Sequence, residues 1–220
     1  MSSEHNHFEE GTRQRLLEAA GEVFAEHGFR AATIREICGR AEVNIAAVNY
    51  YFRDKEGLYE EVLQYAHRRA LETYPAEPPG GEDVSHEERL RVFIRSFLDR
   101  ILGPGRPAWH GKLMAREIVE PTAALDALVE QSIRPLQVVL LGIIRGLVGP
   151  GVSDWMLRLC SISVVGQCMH WCLARPVLRR LHPQLDYSAK DIEMVVEHVT
   201  RFSLAALRNL PREEQKSCTA

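Results

Sequence analysis

The stretch Gly28 to Lys55 reads GFRAATIREICGRAEVNIAAVNYYFRDK, and its interpretation decides the fold. Apolar residues recur at helical spacing on both sides of Glu42-Val43-Asn44. The spacing predicts two helices, over 34–41 and 45–52, joined by a tight turn. Thr33 with Glu36 fits a capping box at the start of the first. A short bracing helix, a turn and a second short helix make a helix-turn-helix, in which the second helix enters a major groove. On a wheel of ~100° per residue, Ile45, Val48 and Phe52 cluster inward. Ala46, Ala47 and Tyr50 lie opposite, with Tyr51 on the flank. Two alanines and two tyrosines gain nothing from solvent, but they suit a groove: small residues permit close approach and tyrosine hydroxyls reach phosphates or base edges. No acidic residue interrupts 44–52. Asn49 lies about 60° from the centre of the inward face. Two roles stay open for it: a bidentate bond to adenine, or a bond to a backbone group.

The flanks extend the same reading. Lys55 opens the next helix, where free N–H groups and the helix dipole favour an anion. Arg30, Arg35, Arg40 and Arg53 surround the unit, and Thr33 is placed to touch a phosphate as well as to cap. Charge runs against a broad positive field, since residues 1–74 carry nine Lys/Arg and thirteen Asp/Glu. Within 28–57 the balance is five against four, so affinity should rest on a few placed contacts with a modest salt dependence.

Outward from this motif the pattern stays helical. Strand alternation and hairpin dipeptides are nearly absent, and Ser85, Ser153, Ser188 and Asp54 are further N-cap candidates. The expectation is an all-α chain of about nine or ten helices. They fall near 12–27, 34–41, 45–52, 55–73, 85–102, 108–119, 123–148 (interrupted at Pro135), 153–174 and 188–209. Leu16, Leu17, Ala20, Val23 and Phe24 form the inward stripe of the first, which Gly28 ends. The expected organisation is a disordered tail at 1–10, a DNA-binding domain at 11–57, a helical effector-binding and dimerisation domain at 58–210, and a tail at 211–220. Residues 75–83 read as a linker. With 220 residues, 45% hydrophobic and 26% charged, the chain can bury a globular core. Five scattered cysteines and no signal-peptide pattern point to reduced thiols in the cytoplasm. The longest stretch without formal charge, 159–174, is too short and polar to span a membrane.

Residues 12–65 resemble the N-terminal domain of the TetR family of bacterial regulators. The matching pieces are Leu16-Leu17-Glu18-Ala19-Ala20, Gly28-Phe29 before Thr33-Ile34-Arg35-Glu36-Ile37, and Val48-Asn49-Tyr50-Tyr51-Phe52 before Lys55-Glu56-Gly57-Leu58-Tyr59. In the second half, Arg116-Glu117 before Glu120-Pro121-Thr122, and Ile133-Arg134-Pro135, resemble the CecR-like branch. Asn49 departs from the tyrosine most members carry there. The resemblance implies a homodimer on a palindromic operator of double-stranded DNA, released by a small-molecule inducer; no cofactor or metal is expected. Thr33, Asn44, Ala46, Ala47, Asn49, Tyr50, Tyr51 and Lys55 are the candidate DNA contacts.

The helices near 153–174 and 188–209 are expected to form the dimer seam. In the first, Trp155, Leu159, Ile162, Gly166 and Met169 should face the subunit's own core. In the second, Ile192, Val195, Val196, Val199, Phe202 and Ala206 should meet the second subunit. Trp109, His110, Met114, Arg116, Glu117, Gln137, His170 and Trp171 are the candidate lining of an effector pocket. Cys160, Cys168 and Cys172 share a helix face with His170 nearby, which leaves a thiol- or metal-responsive regulator, or an activator, as the alternative. A helical small-molecule enzyme is the rival from another class; no nucleophile elbow, phosphate loop or metalloprotease motif supports it.

Overall fold

A computed structural model of the chain describes residues 2–103 and 108–210. Among the described residues there are eleven α-helices, one 3-10 turn at Gly81–Asp83, one π-turn at Val129–Ile133, and no strand. The expected tail at 211–220 lies outside the described residues. Two compact units divide the chain, one of residues 1–70 with 106–133, the other of 71–105 with 134–220. The expected boundary at 57/58 differs from this division, because helical residues after 105 pack back onto the N-terminal core.

The first unit holds α1 (Ser2–Ala31), α2 (Ile34–Ala41), α3 (Ala46–Phe52), most of α4 (Lys55–Thr73), α6 (Ala108–Val119) and α7 (Ala124–Leu128). The helix α1 begins at Ser2, so the disordered tail expected at 2–10 is instead helical backbone. Residues 2–10 contain neither proline nor glycine, so nothing stops the helix from extending N-terminally. Its apolar stripe, Leu16, Leu17, Ala20, Val23 and Phe24, is fully buried as expected. Gly28 breaks the axis at φ 79°, ψ 167°, a region open essentially to glycine alone. Val62, Leu63, Trp109, Leu113 and Leu128 complete this core. Trp109 fits because residue 21 is glycine: a Cβ there would lie 2.6 Å from the indole. The rings of Phe24 and Phe29 stack around Tyr59 with centroids 4.8 and 4.9 Å away.

The second unit holds α5 (His86–Leu102), α8 (Arg134–Val148), α9 (Asp154–Leu173), α10 (Arg175–Leu181) and α11 (Ala189–Arg208). Three of its helices begin with the expected serine caps. Ser85 accepts from Glu88 N at 3.3 Å, Ser153 from Met156 N at 3.4 Å and Ser188 from Asp191 N at 3.3 Å. Leu90, Phe93, Ile94, Leu140, Ile143, Leu157, Val164 and Val196 form the interior. The helix α10 lacks a sequence expectation of its own; Pro176 in its first turn marks the start.

Two expectations about faces reverse. In α9, Leu157, Ser161, Val164 and Cys168 are buried, while Trp155, Leu159 and Ile162, expected inward, are exposed. In α11, Ile192, Val195, Val196 and Val199, expected at the seam, fill the unit's own core, and Met194 and Phe202 stay exposed. Both helices are apolar on more than one side, so periodicity alone does not say which side is covered. The segment Ala124–Val148 is long and apolar enough by length and composition to cross a membrane, contrary to the expectation that 159–174 alone came near. It is no continuous α-helix, since the π-turn divides it, and α8 buries Leu140, Ile143 and Ile144 in the second unit.

Candidate nucleic-acid interface

The bracing helix α2 starts where Thr33 Oγ1 accepts from Glu36 N at 3.2 Å. It stops with Glu42 in the left-handed region at φ 55° and Val43 N–H bonded back to Cys38 O at 3.0 Å, a six-residue closure of the Schellman kind. Asn44 Oδ1 then accepts from Ala46 N at 2.9 Å, which fixes the first turn of α3. Asn44, a candidate DNA contact, thus has a helix-starting bond of its own. Val48 and Phe52 anchor α3 in the core. Ile45, expected beside them, is 48% exposed. A wheel fixes a side chain's direction, not whether a neighbouring element reaches far enough to cover it.

The outer side of α3 presents Ala46, Asn49 and Tyr50, the last 71% exposed. Ala47 and Tyr51 are half-buried against the core, so the exposed strip is narrower than the sequence implied. The Tyr51 ring meets Tyr50 edge-on at 4.8 Å and braces it. The Asn49 side chain is exposed, and its carboxamide has no hydrogen-bond partner among the described residues. Of its two open roles, the backbone-holding one finds no counterpart there.

Charge around α3 is sorted by pairing. Arg40 clamps Glu26 at 3.0 Å and Glu22 at 3.3 Å, and its hydrogen bond holds the Glu26 carboxyl below the ordinary range. Arg53 bonds Asp54 at 2.8 Å. Asp54 caps α4 through Gly57 N at 2.7 Å; that bond, then Arg53, lowers its carboxyl. Arg30 and Arg35 are exposed without an ion pair among the described residues. Lys55 Nζ sits 4.8 Å over the Phe29 ring and donates to Arg30 O at 3.3 Å, with two protons to spare.

The eight candidate effector residues are divided between the two units. Trp109, His110, Met114, Arg116 and Glu117 belong to the first unit; Gln137, His170 and Trp171 belong to the second. Trp109 is core, and His110 is buried. Met114 packs half-buried against the same core. Glu117 is 0% exposed, and its carboxylate accepts from Tyr59 Oη at 2.7 Å, Thr122 N at 2.9 Å and Thr122 Oγ1 at 3.0 Å. Arg116 lines a cavity of about 700 Å³ with His27, Gly28, Phe29, Tyr59 and Glu120. Gln137 is half-buried, His170 is exposed, and Trp171 packs against the second core. Many of these residues are large, and large residues near a domain's middle are more often packing than lining.

Cys168 is buried, and burial pushes its thiol up to about 12; burial also raises the Cys160 thiol. Such thiols are poor nucleophiles at neutral pH. Among the described residues, Glu26, His27 and Glu36 are close enough to share a metal, but Arg40 already pairs with both carboxylates. One buried charge was passed over in the sequence: Arg100, one heptad after Phe93 on the apolar stripe of α5. A charged residue at a stripe position was the available signal.

Residues 16–62 match the family of bacterial regulatory proteins, tetR family, and residues 86–207 match the C-terminal domain of the HTH-type transcriptional dual regulator CecR. The chain is 28% identical over 201 residues to the dual regulator CecR of Shigella flexneri, covering 87% of this chain and 89% of that protein. It is 29% identical over 128 residues to the regulator SrpR of Pseudomonas putida, across 58% of this chain and 57% of that one. In fold it is similar to a TetR-like transcriptional regulator from Rhodococcus sp. RHA1, with TM-score 0.65 at 20% identity over 90% of this chain and 97% of the other. The hemolysin II regulator HlyIIR is similar too, with TM-score 0.59 at 22% identity over 87% and 98%. A helix-turn-helix joined to a CecR-type helical domain places this chain in the TetR family of bacterial transcriptional regulators, as a DNA-binding regulator of transcription and not an enzyme.

Proposed function

We propose that the chain is a ligand-responsive repressor that binds a palindromic operator as a homodimer in the cytoplasm and leaves it when a small molecule binds. The observation that carries this reading is the strip Ala46, Asn49 and Tyr50, exposed, free of acids and anchored from behind by Val48 and Phe52. Two such helices must stand about one DNA turn apart, ~34–36 Å or a multiple, to read two half-sites. Exposed Trp155, Leu159 and Ile162 on α9, with Met194 and Phe202 on α11, supply apolar surface for the second subunit. The unbroken helix α4 begins at Lys55, beside the strip, and runs to Thr73, which suits it as the lever between effector and DNA. An effector releases DNA only by binding the DNA-incompetent spacing more tightly.

Footprinting on DNA flanking the chain's own gene tests the reading. Two protected half-sites are expected. Tyr50→Ala should lose roughly 1–3 kcal/mol of specific binding and relax base preference at one position, whereas Lys55→Ala should weaken all sequences alike and reduce the salt slope by about one. Unchanged specific binding by the tyrosine variant would refute the docking face.

A further inference from the structure

We propose that Arg100 is the seat of an anionic effector: the interior of the helical unit takes a small amphipathic carboxylate, whose charge is the missing partner of this guanidinium. The inference rests on the effector-responsive reading above and names the ligand's chemistry.

Arg91, Arg95 and Arg208 of the second unit meet carboxylates. Arg91 bonds Glu193 at 2.8 Å and Glu197 at 2.7 Å, Arg95 bonds Glu193, and Arg208 bonds Glu87 at 2.6 Å. Arg100 lies in the interior, 5% exposed, and has no such partner among the described residues. Its Nε donates to Ser96 O at 3.1 Å, its guanidinium lies 5.4 Å from the Phe97 ring centroid, and its Nη2 is buried without any acceptor. The adjacent carboxylate, Asp99, is directed to Arg95 at 3.9 Å. The ionisable group facing Arg100 from α9 is the Cys168 thiol, which burial keeps protonated. Burial also pulls Arg100 down to about 10, so it is still charged at neutral pH.

A buried cation without an anion is costly to a fold, and an unfilled guanidinium N–H adds to that cost. Such a group persists where a ligand completes it. A guanidinium fork matches the two oxygens of a carboxylate, and one arginine balances one negative charge. The surrounding Phe97 and Cys168 favour an apolar body on the ligand. A dianion such as inorganic phosphate would bring a second charge that nothing there neutralises.

The test uses the full-length chain, with octanoate and phenylacetate as probes, octanamide and phenylacetamide as their neutral twins, and inorganic phosphate as the dianion. At about 100 times its dissociation constant, at least one carboxylate should raise the thermal midpoint of the wild type by roughly 5–10 °C, while amides and phosphate leave it unchanged. Arg100→Leu should abolish that shift, keep operator binding, and show a ligand-free midpoint equal to or above the wild type. Arg100→Lys keeps charge but not the fork, and should weaken the carboxylate at least about tenfold. A ligand-free midpoint well below wild type in Arg100→Leu would make the arginine structural and overturn the proposal. So would carboxylates that act no differently from their amides, or a phosphate shift as large as theirs. Failure of the wild type to bind its operator would instead remove the repressor reading while leaving the carboxylate result intact.

Discussion

Glu117 was a candidate effector contact from sequence, and the structure makes a quantitative case for a different role. Its carboxylate has zero exposure and receives three hydrogen bonds, one from Tyr59 and two from Thr122. Hydrogen bonds to a charged group contribute roughly 1.5–3 kcal/mol each, but Thr122 is half-buried and recovers water when its partner is lost. Tyr59 is 2% exposed, so its hydroxyl would be left dry and unpaired. Losing the Tyr59 bond and stranding its hydroxyl, Glu117→Ala should therefore destabilise the first unit by about 3–5 kcal/mol. At a slope near 2 kcal/mol/M, that lowers the urea midpoint by about 2 M. Glu117→Gln keeps an acceptor for Thr122 and should lose about 1–2 kcal/mol. Combining Glu117→Ala with Tyr59→Phe should show a coupling of about 1–2 kcal/mol, because each single change removes the same bond. Urea titration by circular dichroism supplies the midpoints, and amide exchange in α4 and α6 supplies the location. A loss under about 1 kcal/mol in Glu117→Ala, with exchange unchanged in both helices, would refute this account.

Alkali gives an independent reading of the same region. Burial first, then the Glu117 carboxylate, raises the Tyr59 phenol well above its ordinary value; burial, then Glu18, pushes Tyr65 up to about 12. The folded chain keeps these protons while the unfolded chain releases them near pH 10, so stability is intact below about 10 and falls toward 12. Tyrosinate absorbance should show these two ionising together with unfolding. Gly28→Ala should lose about 1–3 kcal/mol in urea titration, since its backbone excludes a side chain. Adding Arg116→Ala should not recover that loss, because the guanidinium a new Cβ would strike is a movable side-chain end. On the proposed seam, Trp155→Glu with Phe202→Glu should yield a monomer in sedimentation with little change in monomer stability, as both side chains are exposed; a persistent dimer would move the seam elsewhere.

Local signals in the sequence carried well. Thr33, Asp54, Ser85, Ser153 and Ser188 all cap helices, because a cap depends on residues only three positions apart. The α1 stripe and the inward Val48 and Phe52 were legible for the same reason. What failed was anything decided by distant partners. Ile45 has the right phase for burial and lies uncovered. The valines of α11 and the tryptophan of α9 exchanged their expected sides, since each helix offers apolar residues in two directions. The effector list draws on both units, since size and polarity do not reveal which core a residue joins. Arg100 was hidden by the opposite habit, that of counting arginines as surface.

The division of the chain into units has a consequence for its synthesis. Trp109, Leu113 and Leu128 belong to the hydrophobic interior that Leu16 to Phe24 begin, yet 35 residues of the other unit, 71–105, leave the ribosome between them. A nascent headpiece ending at residue 70 therefore emerges with the slot above Gly21 open to water, and it closes only when α6, which carries Trp109, has been made. A chimera that grafts this headpiece onto a foreign sensor must carry 106–133 with it, or supply another indole for that slot.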